Sequence, residues 1–149
     1  MIQEISHNLF IADMEGCGDK DAAIIHACKN PCYERIMGKK VPESDPNYLF
    51  IEIGNNLYLN MIDPEEPLFK RLSFDMALCF IDKHIKDRKV IVHCNEGRSR
   101  SASIVMLYLY RDLYYRDAQN AILELYEEYD PSLGIDRYLG SHWWNWHRK

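Results

Sequence analysis

Val90-Ile91-Val92-His93-Cys94-Asn95-Glu96-Gly97-Arg98-Ser99-Arg100-Ser101 is the stretch that decides the fold. It opens on Val90-Ile91-Val92, a short β-branched run with the composition of a strand buried on both faces. From Ser101 to Tyr115 the chain is apolar nearly all round, with Ile104, Val105, Leu107 and Leu109, the pattern of a central buried helix. Between the two, the residues from Cys94 to Ser99 must turn tightly, and Gly97 admits backbone conformations that other residues resist. A buried strand feeding a buried helix indicates an α/β layered domain.

Working outward, strands and helices alternate. Leu9 to Ala12 and Ile24 to Cys28 are apolar runs of strand length, separated by a Gly-containing turn over Glu15–Lys20. Residues 30–48 carry Pro31, Gly38, Pro42 and Pro46 and read as mostly loop. Leu49–Ile53 and Leu57–Leu59 flank Gly54-Asn55-Asn56, the signal of a hairpin or sharp bend. Pro64 and Pro67 forbid regular helix across 61–67. Phe74, Leu78, Ile81 and Ile85 recur at helical spacing between Lys70 and Asp87. Asp117–Tyr129 is amphipathic, with Ala118, Ala121, Ile122, Leu125 and Tyr129 on one side; Pro131 and Gly134 break it. Ile135, Leu139 and Trp143 mark a last helix. Trp143, Trp144 and Trp146 read as aromatics that close a core.

Size and charge narrow the function. A chain of 149 residues with 47% hydrophobic and 28% charged residues reads as one globular domain spanning 1–149. No apolar run approaches the roughly 18 residues of a membrane span, and the first ten residues lack a basic region followed by an apolar one. Those features give the expectation of a cytoplasmic protein with no membrane partner. A net charge of −5 argues against a nucleic-acid partner, so positive potential for an anionic substrate must be local. Cys17, Cys28, Cys32, Cys79 and Cys94 form no disulfide framework and read as reduced thiols. Cys17, Cys28, Cys32 and His26 match no common zinc spacing and read as small buried side chains, so no metal site is expected.

The local potential lies in the strand-to-helix turn. Such a turn points successive backbone N–H groups inward, an anion nest at a helix N-terminus that can hold the three non-bridging oxygens of a phosphate. Asn95, Glu96, Gly97, Arg98 and Ser99 supply that nest. Glu96 is read as serving through its backbone with its carboxylate turned away, and Arg98 as facing solvent. Arg100, at the helix start, offers a planar fork for two phosphate oxygens. The helix dipole and the arginines draw a thiol at the bottom of the nest toward the nucleophilic thiolate. His93 is placed to organise the cysteine and its loop by hydrogen bonding, and the Ser101 hydroxyl to donate to the Cys94 sulfur.

His93-Cys94-x5-Arg100-Ser101 resembles the signature of the protein tyrosine phosphatase superfamily, and the small size resembles its atypical dual-specificity branch. The likeness runs from Leu9 to near Trp146, tight over Asn60–Ser101 and loose over 13–56. It implies a central, mostly parallel sheet flanked by helices, no cofactor and no metal. It also implies a phosphocysteine intermediate on Cys94, with Arg100 as phosphate ligand and an Asp general acid some thirty residues before the cysteine. Asp63 fits that place, and Glu65 and Glu66, its rivals, read as solvated loop charges. The expected partner is a phosphoprotein carrying phosphotyrosine, phosphoserine or phosphothreonine, acted on by a monomer. The stretch Asn30–Tyr48 is the expected source of selectivity, through Tyr33 or Arg35. A phosphoinositide or RNA 5′-phosphate substrate, and a catalytically weak phosphoprotein-binding module, are the alternatives.

Overall fold

Strand β6 (Val90–His93) is buried at all four positions. It therefore needs a strand on each side and a covered surface above and below. The computed structural model, which describes residues 1–147, provides both. β6 lies between β2 (Leu9–Ala12) and β3 (Ala23–His26), parallel to each. β5 (Asn56–Leu59) extends the parallel set beside β3. β1 (Ile2–Ser6) and β4 (Phe50–Ile53) close the two edges as antiparallel strands. The order is β1-β2-β6-β3-β5-β4, a mixed sheet with a parallel centre, as the resemblance implied.

The period of two along each strand sorts the core onto two faces. Ile11, Ile25, Leu57, Leu59, Val90 and Val92 face the thick layer, where α3 (Arg100–Tyr110) packs on β2 and β6 and α2 (Arg71–His84) packs on β3 and β5. α4 (Tyr115–Leu125) packs on α3, and α5 (Leu133–His142) completes this layer with Ile135, Tyr138 and Leu139. Fully burying one such aliphatic side chain is worth about 1.5–3 kcal/mol, so this face supplies most of the stability. The alternate residues, Phe10, Ala12, Ile24 and Ile91, form a smaller cluster on the other face. There the sheet is covered by a 3₁₀ turn (Met14–Gly18) and a tight helical turn (Lys29–Tyr33) that runs into α1 (Glu34–Met37).

The strand and helix expectations hold, with four corrections. β1 lies outside the strands read from the sequence; only Ile5 along it is buried, so an edge strand of this kind has no apolar alternation to reveal it. α1 falls inside the stretch 30–48 read as loop. α4 ends at Leu125, and Tyr129 is buried just past the turn that follows, its N–H on the Tyr126 carbonyl, rather than on the helix stripe. Trp143 and Trp146 close the core as expected, donating to the Leu113 carbonyl (2.8 Å) and Asp75 (2.7 Å), whereas Trp144 is 74% exposed. Among the described residues no helix is long and apolar enough to cross a membrane.

Candidate active site

The register of the parallel strands builds the site. Ala12, His93 and His26 lie level across β2, β6 and β3, and His26 is level with Tyr58 on β5. All four strands thus end along one carboxyl edge, where open α/β sheets place their ligand crevices. The turn from Cys94 to Ser99 leaves that edge, and Gly97 takes φ +76°, in the left-handed region. A Cβ there would lie 2.8 Å from the Met1 side chain and 3.2 Å from the Ala12 carbonyl, so space and conformation both select glycine.

Cys94 is buried at the base of a cavity of about 310 Å³. Its sulfur lies 3.1 Å from Ser101 Oγ and accepts from the Gly97 N–H at 3.3 Å. Ser101 is fully buried at the start of α3. Asn95, Glu96, Arg98 and Ser99 line the walls with Asp63, Arg100, Asp130 and Ser132. Glu96 and Arg98 are exposed at the rim and both belong to the cavity lining.

The Arg100 guanidinium is held from two sides. Nη1 donates to the Met61 carbonyl at 2.9 Å and Nη2 to Asn95 Oδ1 at 2.7 Å. Its buried Nε has no partner among the described residues. A guanidinium carries five N–H groups in one plane, so these two bonds do not exhaust its donors. Asn95 completes the clamp, since its Nδ2 donates to the Asn30 carbonyl at 3.1 Å. The sequence placed Asn95 in the nest through its backbone; its side chain also positions Arg100.

Asp63 reaches the cavity from the loop after β5. Oδ2 accepts from Ser132 Oγ at 2.8 Å, while the buried Oδ1 is without a partner among the described residues. Glu65 and Glu66 are exposed and line no part of the cavity, so of the three carboxylates weighed from the sequence Asp63 alone joins Cys94 in the lining. What holds it there escaped the sequence reading. The segment after α4 grips both loops: Ser132 N–H donates to Ser99 Oγ (2.9 Å), and Asp130 N–H donates to the Arg98 carbonyl (2.9 Å). At Gly134 an added Cβ would come within 2.2 Å of the Glu66 carbonyl and 2.3 Å of that of Pro64. The one available signal was Pro131 and Gly134, read only as helix breakers.

Tyr126 braces the phosphate loop from below, donating to the Gly97 carbonyl at 2.6 Å, and burial pushes its phenol up to about 12. His93 is fully buried, with Nδ1 3.4 Å from the Cys94 carbonyl and Nε2 2.7 Å from His26 Nδ1. Burial, reinforced by His26, holds its imidazole down to about 4, so it is neutral. Tyr33 is also buried and donates to the Asn47 carbonyl at 2.6 Å. It therefore fixes the 30–48 stretch internally instead of meeting substrate, and that stretch adds no residue to the cavity wall.

With this geometry in view, the comparisons with known proteins agree. The model of the family described as dual specificity phosphatase, catalytic domain, matches residues 39–133. Protein-tyrosine-phosphatase IBR5 of Arabidopsis thaliana is 42% identical over 76 residues, 47% of this chain and 28% of that protein. Dual specificity protein phosphatase PHS1 of the same plant is 30% identical over 146 residues, 93% of this chain and 14% of that protein. The chain thus spans less than a third of the length of either relative. The crystal structure of DUSP15 superposes with a TM-score of 0.69 at 20% identity, over 96% of this chain and 87% of that one, a likeness of fold.

Proposed function

Because the chain belongs to the dual-specificity phosphatase family, we propose that it is a single catalytic domain, residues 1–149, that hydrolyses phosphate monoesters through a phosphocysteine. The observation that carries this reading is the position of the Cys94 sulfur at the base of the cavity, between Ser101 and the Gly97 N–H, with Arg100 and Asp63 on its walls. The thiolate attacks phosphorus, and the bond to the ester oxygen breaks as Asp63 gives that oxygen its proton. The loop N–H groups and Arg100 hold the three equatorial oxygens throughout. Water then attacks the phosphocysteine, Asp63 takes its proton, and inorganic phosphate leaves as the sulfur departs with its electron pair. Ser101 stabilises that departing thiolate.

The substrates of this reading are phosphotyrosine, phosphoserine and phosphothreonine in proteins. No residue of 30–48 walls the cavity, which favours a shallow site open to short and long phosphorylated side chains. Glu96 and Asp130 add two carboxylates to the lining, which disfavours substrates carrying further phosphates. The test is acid quenching during turnover of a ³²P-labelled phosphotyrosyl peptide, with phosphothreonyl and short-chain phosphoinositide substrates compared by kcat/KM. Label on Cys94 and turnover of both peptides are expected. Label elsewhere overturns the mechanism, and a tenfold or greater preference for the phosphoinositide overturns the substrate class.

A further inference from the structure

Behind the phosphate loop, on the thin face of the sheet, His26, Cys32 and His93 place one ligand atom each within 4.8 Å of the others, and all three are buried. The sequence set aside a zinc set of Cys17, Cys28, Cys32 and His26 on spacing. The fold replaces it with another, because strand register sets His26 level with His93 and the Lys29–Tyr33 turn lays Cys32 over both.

Proton accounting points to a cation. His26 Nε2 lies 2.9 Å from Asn56 Oδ1, and His93 Nδ1 lies 3.4 Å from the Cys94 carbonyl. In the tautomers that give an N–H to the Asn56 oxygen and to the Cys94 carbonyl, each imidazole uses its single N–H there. The two remaining lone pairs, His26 Nδ1 and His93 Nε2, then face each other across 2.7 Å. Without a cation, one proton must leave the Cys94 carbonyl or Asn56 and sit between the rings. With one, all four nitrogens are satisfied, and the outer N–H groups make the hydrogen bonds that orient metal-bound histidines.

A small tetrahedral ion would re-space the three ligand atoms. Zinc–nitrogen bonds of about 2.0–2.1 Å and a zinc–sulfur bond of about 2.3 Å separate ligand atoms by about 3.3 Å for N···N and 3.6 Å for N···S. The observed 2.7 Å between the rings needs an opening of roughly 0.6 Å. The 3.9 Å from Cys32 Sγ to His93 Nε2 needs a closure of roughly 0.3 Å. Cys28 is the thiol that acts most on Cys32, and its sulfur also lies 3.0 Å from the Asn30 carbonyl and 3.4 Å from Asn95 Oδ1. Cys17, on the Met14–Gly18 turn, acts on Cys32 from further off.

We propose that His26, Cys32 and His93 bind a divalent ion of the zinc type behind the phosphate loop. Binding forms two metal–nitrogen bonds and one metal–sulfur bond and releases one proton, that of the Cys32 thiol. It holds His93 as the tautomer whose Nδ1–H faces the Cys94 carbonyl, fixing the loop from the rear. This site is separate from the thiolate chemistry of Cys94, and its test reads binding alone.

Cobalt(II) is titrated into the full chain, freed of metal and kept reduced, and followed by its visible ligand-field bands and its sulfur-to-cobalt charge-transfer band. One equivalent with tetrahedral band intensity and sulfur charge transfer is expected, displaced by zinc. Cys94→Ser retains the spectrum. Cys32→Ser loses the charge-transfer band and binds at least about 100-fold more weakly, above the 10–100-fold cost of losing an outer-shell partner. His26→Asn also weakens binding at least tenfold. Unchanged aryl phosphate turnover in Cys32→Ser, measured without metal, checks that it folds; if that variant is inactive, His26→Asn decides. The full spectrum in Cys32→Ser, its loss in Cys94→Ser, or no tetrahedral band in the parent chain overturns the site.

Discussion

The phosphate loop and the acid loop line one cavity, yet they are held differently. The loop from Cys94 to Ser99 is partly self-built: Gly97 donates to Cys94 three residues back, Ser101 meets the same sulfur, and Arg100 is gripped by Asn95. Tertiary contacts from Tyr126, Asp130, Ser132 and the Met61 carbonyl add to these. The acid loop has little structure of its own. Asp63 is oriented by Ser132, 69 residues further along the chain, and the loop is packed against Gly134. The nucleophile thus has local partners beside tertiary ones, whereas the acid depends on the tertiary fold. Damage to the first should end the chemistry, and damage to the support of the second should blunt only the step that needs a proton.

Cys94→Ser tests the self-built side at its strongest. The hydroxyl stays protonated at neutral pH, so turnover should fall by roughly 10⁴–10⁶, the scale of removing a nucleophile from a concerted site. Phosphate-ester binding and the circular dichroism spectrum should persist. Wild-type turnover in this variant would remove covalent cysteine catalysis.

Asp63→Asn moves to the supported side. On esters with poor leaving groups it should lower turnover by roughly 10²–10⁴, and much less on nitrophenyl phosphate, whose phenolate departs unprotonated. Equal losses on both esters would make Glu65 or Glu66 the next candidates. Arg100→Lys should cost roughly 10²–10³ in turnover and weaken vanadate inhibition, since an ammonium keeps the charge but not the planar two-point grip.

The smallest effect probes the support directly. Ser132→Ala removes the hydroxyl that orients Asp63 and leaves its backbone N–H on Ser99 in place. It should lower turnover of poor leaving groups by about tenfold, the lower end of a hydrogen bond to a charged group, and leave nitrophenyl phosphate and KM within about twofold. A uniform loss on both substrates would mean that Ser132 serves the phosphate loop instead.

The same contrast explains how much was legible in the sequence. Val90–Ser101 could be read because a buried strand, a glycine-bearing turn and a buried helix each impose a composition within a few neighbouring residues. Asp63 was found through its spacing from Cys94 in a resembling family, not through anything its own loop displays. Ser132, Gly134 and the Asn95 clamp on Arg100 were missed, because a serine after a helix break or an asparagine in a loop has many ordinary uses. The His26–His93 pairing was invisible for another reason. β3 lies beside β6 only after two intervening strands have been placed at one edge, and the resulting neighbours are 67 residues apart. Edge strand β1 lacked even an apolar alternation.

Ser132 has one further consequence, for the timing of the reaction. One residue bonds Ser99 through its backbone and Asp63 through its side chain, so neither loop can swing out without straining the other's anchor. The ordering entropy of the active site is thus spent during folding and not at each substrate encounter. An enzyme so arranged has no separate closing motion to wait for, and its steady-state rate should respond to leaving-group chemistry or to hydrolysis of the phosphocysteine, but little to solvent viscosity. In hydrogen exchange, the amides of the two loops should open together, as one cooperative unit with the start of α5.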